Sequence, residues 1–266
     1  MTLPFSNART GGKILVDQLL IHGADMAFCV PGESYLEVLD ALFDVRDRFK
    51  LVNARHEAGA ANMAEAYGKL TGKPGICMVT RGPGACHAAV GVHTAFQDST
   101  PMVVLVGHVA RHQIDREAFQ EIDYRQMFGP VAKWAAQIDV TARIPEYIAR
   151  AFHIATSGRP GPVVLALPED MLRDQRAAAV VGPYRAVHAH PGAADLAELR
   201  RLLAAAERPI MLVGGSGWSD AAAADIARFA EVNQLPVCCS FRRQDIVDNR
   251  LSSFVGDLGT GAAPAL

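Results

Sequence analysis

Three short, almost wholly apolar runs, at 76–80, 102–106 and 163–167, constrain this chain more than any other feature. They are too short for helices, and they lack the apolar–polar alternation of a strand with one wet face. Strands of this kind must be covered on both sides, as in a parallel sheet layered between helices. The rest of the chain keeps that rhythm. A fourth apolar run, 26–30, ends in Pro31-Gly32, and helical spacing over 35–43 follows Ser34, a residue that can cap a helix. Residues 51–54 read as a strand leading into a helix that begins at Glu57 and stops near Gly72 and Pro74. Gly82-Pro83-Gly84 breaks the 76–80 strand, and the next helix is expected over 85–96. An irregular polar segment then spans 110–126, a helix 145–156, and the turn Gly158-Arg159-Pro160-Gly161-Pro162 opens the last strand. The fold class expected is α/β, a parallel sheet flanked by helices on both faces.

The rhythm lapses over 181–193, a stretch with Gly182-Pro183, His188, His190 and Pro191 that reads as a linker. It separates a first domain, 1–180, from a second that starts at 194. Helix 194–206, strand 210–213, the loop Gly214-Gly215-Ser216-Gly217, helix 220–232 and strand 237–240 are too few to enclose a core. The chain is therefore expected to end at 266 inside an incomplete second α/β domain.

A net charge of -2 offers no basis for binding nucleic acid or an anionic membrane surface. No apolar run reaches spanning length, and residues 1–10 lack the apolar core of a signal peptide. Five cysteines occur without CxxC spacing, and nine histidines without an HExxH pattern. Buried free thiols in a reducing cytoplasm fit this usage better than a disulfide framework or a zinc site. No metal ligand set is expected within the chain.

Ligands of parallel sheets bind at the carboxyl ends of the strands. Pro31-Gly32, Glu57 and Gly82-Pro83-Gly84 all fall there. Glu57 opens a helix whose next residues, Ala58-Gly59-Ala60-Ala61, carry almost no bulk, so a flat cofactor or a partner helix can approach closely. The plain alternative is a first-turn acid favoured by the helix dipole. Gly82-Pro83-Gly84 is neither a P-loop nor a GxGxxG fingerprint, and a tight strand–helix turn explains it equally well. Gly214-Gly215-Ser216-Gly217 carries the same ambiguity. His87 and His93 are six apart and share no helix face. Phe119-Gln120-Glu121 lies in the irregular segment, where binding residues often sit.

Taken in order, Val30-Pro31-Gly32, Arg55-His56-Glu57 with Gly59-Ala60-Ala61 and Met63-Ala64, Gly82-Pro83-Gly84-Ala85, Ala118-Phe119-Gln120-Glu121 and Gly158-Arg159-Pro160-Gly161-Pro162-Val163 resemble thiamine-diphosphate-dependent enzymes. The resemblance covers essentially the whole chain and points to acetolactate synthase large subunits. It implies a pyrimidine-binding domain over 1–180 and the opening of a central Rossmann-like domain over 194–266. It also implies an enzyme that decarboxylates a 2-oxo acid and joins the product to a second carbonyl compound. A 2-oxo acid decarboxylase, an aldehyde lyase, or a binding subunit that needs a separate diphosphate-domain chain are the alternatives. A nicotinamide oxidoreductase would leave Glu57 and Phe119-Gln120 without a task.

The resemblance gives Glu57 the place of the glutamate that hydrogen-bonds N1′ of the cofactor's aminopyrimidine ring and so promotes loss of the thiazolium C2 proton. Phe119 and Gln120 match positions on the substrate side. Pro31, Gly32, Thr80, Pro83, Gly84 and His87 match the loops around the ring. Several residues depart from the usual pattern: Glu33 replaces a second Gly, Arg81 a small hydroxyl residue, His87 an Asn, and His112 an Arg. Residues 240–244 also differ from the stretch of flavin-binding members, so substrate and FAD stay open. Mg²⁺ and the diphosphate belong to a Gly-Asp-Gly…Asn motif. The nearest match here, Gly256-Asp257-Leu258-Gly259, lacks the second Gly. A homodimer or tetramer is implied, because the family's site forms between subunits. By itself the 266-residue chain is expected to show no turnover.

Overall fold

In the computed structural model, which describes residues 3–4, 7–259 and 261–262, the apolar runs become the middle of a six-stranded sheet. Its strands are β1 (Met26–Cys29), β2 (Lys50–Asn53), β3 (Gly75–Val79), β4 (Met102–His108), β5 (Trp134–Gln137) and β6 (Pro162–Pro168). They lie in the order β2-β1-β3-β4-β6-β5, and every neighbouring pair is parallel. All residues of β3, β4 and β6 are buried, as a doubly covered strand requires. The edge strand β5 has a mixed, half-buried pattern that the sequence does not signal.

Alternation within these strands divides the core in two. Ile76, Met78, Val103, Leu105, Val163 and Leu165 pack with α1 (Gly11–Ile21), α2 (Leu36–Asp44) and α6 (Ile144–Thr156). The short helix α7 (Glu169–Arg173) closes this face through Met171 and Leu172. Cys77, Val79, Val104, Val106 and Val164 face the other way, against α3 (Glu57–Thr71), α4 (Gly82–Asp98) and α5 (Tyr124–Phe128).

The second face is built from small residues at close range. A Cβ on Gly91 of α4 would lie 2.5 Å from Cβ of Ala61 on α3, and one on Gly75 only 1.8 Å from the carbonyl oxygen of Ala64. Much of the small-residue stripe after Glu57 therefore serves α4 and the sheet of the same chain. Of the glycines within α3 and α4, Gly59 alone has open space around it, with no atom within 4 Å of a built Cβ.

Three expectations are corrected. Gly82-Pro83-Gly84 is the first turn of α4 rather than a loop before it. Proline is at home there because the first-turn N–H groups have no intrahelical partner to lose. Ser34 does not cap α2. It lies in a 3-10 turn, Glu33–Tyr35, and its hydroxyl is engaged elsewhere. The polar segment 110–126 is likewise only partly irregular, since α5 begins at Tyr124 behind an Asp123 cap.

The chain divides into two units between Val187 and His188, inside the stretch read as a linker. Residues up to Tyr184 belong to the first: Gln18 donates to the Val181 carbonyl at 2.6 Å, and the Tyr184 N–H donates to His22 Nδ1 at 3.0 Å. The second unit holds α8 (Ala193–Ala205), β7 (Met211–Val213), α9 (Asp220–Val232), β8 (Val237–Ser240) and β9 (Phe254–Leu258). Its three strands are parallel in the order β7-β8-β9, with Val213, Ala230, Leu235, Val237 and Cys239 in its core. Gly256-Asp257-Leu258 lies within β9 and is paired to β8. All five cysteines are free, and only Cys86 is exposed. No described helix is long and apolar enough to cross a membrane.

Candidate functional site

The chain runs from β1 to β2 on one side of β1 and then returns to place β3 on the other. The crevice at such a reversal is where open α/β sheets bind ligands. Two strand ends meet there. From β1 comes Val30-Pro31-Gly32, fixed from below by the buried Tyr35, whose hydroxyl donates to the Val30 carbonyl. From β3 comes Thr80, whose Oγ1 lies 2.6 Å from Ser34 Oγ. A Cβ on Gly32 would lie 2.6 Å from Cβ of Thr80, so the glycine is required by crowding. Its φ of -148° would suit any residue.

Glu57 is the first residue of α3, where the helix dipole favours an acid. Its side chain is 14% exposed, and Oε2 lies 2.9 Å from Nδ1 of His87, in the second turn of α4. The His87 ring stacks on His56 with centroids 4.6 Å apart. His56 in turn caps α3, its Nδ1 accepting the Ala58 N–H at 3.1 Å. The other carboxylate oxygen, Oε1, faces Gly84: a Cβ there would lie 3.5 Å from it and 3.3 Å from Thr80 Cγ2. Gly32, Thr80, Gly84, Glu57 and His87 are thus brought together. Pro31 and Pro83 stand exposed beside them, at the head of the β1 turn and in the first turn of α4.

Gln120 reaches this group through its backbone, its carbonyl accepting the Gly82 N–H at 2.9 Å. Phe119 is 73% exposed. Their loop holds Asp115, Glu117 and Gln120 at positive φ, a strained conformation for residues other than glycine. Glu121 pins it by accepting the N–H groups of Asp115 at 2.6 Å and Ala118 at 3.0 Å. Partial burial pushes the Glu121 carboxyl up, but these backbone donors outweigh it and hold the group below the usual carboxylate range.

A charge bridge across the same strand ends escapes motif reading. Arg81 donates to Glu33 at 3.2 Å and to Glu169, in the first turn of α7, at 3.1 Å. Its side chain is 11% exposed. The signal was present in the sequence, for Glu33 and Arg81 are both departures from the family pattern, and here they pair. Beyond them, Arg111 donates to Asp170 at 2.8 Å and to Asp174 at 2.9 Å, tying the segment after β4 to α7. His108, at the end of β4, is buried, which lowers its pKa. The Arg81 charge acts in the same direction, while Glu121 opposes it.

Among the described residues, His56, Glu57 and His87 form the group whose potential metal-ligand atoms gather, all within 4.8 Å of one another. The two imidazole planes are only 28° from parallel. Ring lone pairs lie in those planes, so in this arrangement they do not converge on one ion.

The family model described as the N-terminal TPP binding domain of thiamine pyrophosphate enzymes matches residues 9–127, and that of the central domain matches 196–266. The chain belongs to the thiamine pyrophosphate enzyme family. It is 33% identical over 258 residues to an acetolactate synthase of Arthrospira platensis, covering 94% of this chain and 45% of that protein. Identity is 36% over 239 residues with acetolactate synthase isozyme 3 large subunit of Escherichia coli (87% of this chain, 41% of the relative). With a probable acetolactate synthase large subunit of Methanocaldococcus jannaschii it is 35% over 264 residues (95% and 44%). The chain thus spans less than half the length of these relatives. Every site residue from Pro31 to Gln120 lies inside the matched TPP-binding region.

Proposed function

We propose that the chain supplies the pyrimidine-binding side of a thiamine-diphosphate enzyme that decarboxylates a 2-oxo acid and carries the product to a second carbonyl compound, in the manner of acetolactate synthase. The observation that carries this reading is Glu57: a mostly buried carboxylate at the strand-end crevice, with one oxygen anchored and the other facing a glycine. These residues fit the aminopyrimidine side of the cofactor: Gly84 puts no side chain over Glu57 Oε1, and Gly32 lets the turn after β1 pack directly against Thr80.

When bound, thiamine diphosphate supplies the carbon acid that adds to the 2-oxo acid carbonyl and accepts the electrons released with carbon dioxide. The protein's own residues do the rest. Glu57 would hold or yield a proton at Oε1, the oxygen that faces Gly84. Its low exposure keeps water from competing there. Thr80, locked by Ser34, fixes the wall beside it. The Gln120 amide can donate to an oxygen that gains charge, and Phe119 covers the substrate side. Diphosphate and Mg²⁺ would be held by a separate diphosphate-binding domain from a second subunit, which makes a homo-oligomer part of the reading. The reading does not call on flavin: residues 240–244 depart from the flavin-binding pattern, and FAD stays open. A cytoplasmic location is part of the same reading, supported by free thiols that suit a reducing compartment.

The test uses protein expressed from its complete reading frame, with thiamine diphosphate, Mg²⁺ and pyruvate or other 2-oxo acids. Glu57→Gln should lower both carbon dioxide release and exchange of the cofactor's C2 proton by about 10²–10⁴-fold, with folding intact. Exchange that proceeds unchanged in the variant would remove Glu57 from the chemistry.

A further inference from the structure

The geometry points to His87 as the positioning residue of Glu57: it holds one carboxylate oxygen so that the other is aimed at the ligand. The inference rests on the function proposed above and assigns a task to a residue that stands where the family usually has Asn.

The terminal torsion of a glutamate is broad and roughly two-fold, so packing of the stem does not by itself orient the carboxylate. One directional contact can. His87 Nδ1 supplies it at 2.9 Å from Oε2. An ionised carboxylate only accepts, so the proton of this bond sits on His87 Nδ1 and leaves Nε2 toward solvent. The ring is itself held, stacked 4.6 Å from His56. The His56 ring is fixed by accepting the Ala58 N–H, which leaves its own proton on Nε2. A chain of restraint therefore runs from the backbone of α3 through two imidazoles to Oε2. The spacing of the two helices that carry it is set by the contact of Gly91 with Ala61.

The consequence is a division of labour within one carboxylate. Oε2 is satisfied by His87, and Oε1 is left facing Gly84, where it would be open to a ligand donor. A group with no hydrogen-bond donor at position 87 frees the carboxylate to turn. A donor of similar reach does not. His87 is half exposed, so its replacement leaves the core packing untouched.

Two measurements test this. Nitrogen NMR of the ¹⁵N-histidine-labelled chain without cofactor should show His87 as the Nδ1–H tautomer and His56 as the Nε2–H tautomer. The His87 preference should vanish in Glu57→Ala, and an Nε2–H tautomer for His87 in the wild type overturns the inference. Second, in protein from the complete reading frame, His87→Leu should weaken thiamine diphosphate binding and slow C2-proton exchange by about tenfold or more, the worth of a charge-assisted hydrogen bond. His87→Gln, which keeps a donor, should recover both to within about threefold of wild type. If His87→Leu binds and exchanges like the wild type, the positioning role fails while the proposed function stands. If the wild-type protein binds no thiamine diphosphate, both fail.

Discussion

Replacing Gly91 and Gly59 by alanine, one at a time, tests the close packing of α3 on α4 with opposite expected signs. Both glycines lie in helices, where alanine is favoured by up to about 1 kcal/mol. At Gly59 nothing lies within 4 Å of the new methyl, so the propensity gain stands alone. At Gly91 the methyl would sit 2.5 Å from Cβ of Ala61 and 2.8 Å from its carbonyl carbon. Carbon atoms prefer roughly 3.5–4.0 Å, so α3 and α4 must part by about 1 Å. Overpacking of this kind costs roughly 1–3 kcal/mol, so after the helix gain Gly91→Ala should be up to about 2 kcal/mol less stable. Urea unfolding followed through Trp134, with Trp218 replaced by Phe, reads the first unit. Gly59→Ala should raise the midpoint and Gly91→Ala lower it. Adding Ala61→Gly should rescue only part of the loss, because the carbonyl carbon remains in the way. A Gly91→Ala protein as stable as Gly59→Ala would refute the claim that this contact sets the spacing of the helices carrying Glu57 and His87.

Burial holds His22 neutral, with its pKa lowered to about 4, whereas the unfolded chain takes up a proton near 6.5. The unfolded state then binds more protons between these values, so stability is complete above about pH 6.5 and falls as pH drops toward 4. The loss reaches roughly 3 kcal/mol at most, and His22→Gln should flatten that limb of a stability–pH profile measured by urea unfolding. The Arg81 bridge should respond asymmetrically. Arg81→Ala strands Glu169, which is 19% exposed, and should cost about 1–3 kcal/mol, whereas Glu33→Ala removes a partner 70% exposed and should cost less than about 1 kcal/mol. Equal losses in thermal or urea denaturation would show that both ion pairs are surface decoration.

The layered sheet was legible because burial on both faces leaves no room for polar residues in β3, β4 and β6. The ordered motifs from Pro31 to Gln120 were legible as well, and they fall inside the matched TPP-binding region. The edge strand β5 was not, since an edge is half wet and its residues carry no clear period. Gly82-Pro83-Gly84 looked like a loop because glycine and proline punctuate turns, yet in the first turn of a helix neither residue gives up a bond.

By itself the sequence determined which residues are hidden and which strand ends carry Glu57, Thr80 and the glycines, because hydrophobic period and turn chemistry act over a few neighbours. It could not show that Glu57 meets His87, thirty positions on, or that Glu33 and Glu169 meet Arg81. Those encounters depend on which strand lies beside which. In the order β2-β1-β3-β4-β6-β5 the helices after β2 and β3 are neighbours on one face, and α7, after β6, comes within reach of the β3 end. Long-range packing chose that order, and with it the oxygen of Glu57 that is held and the one that is left open.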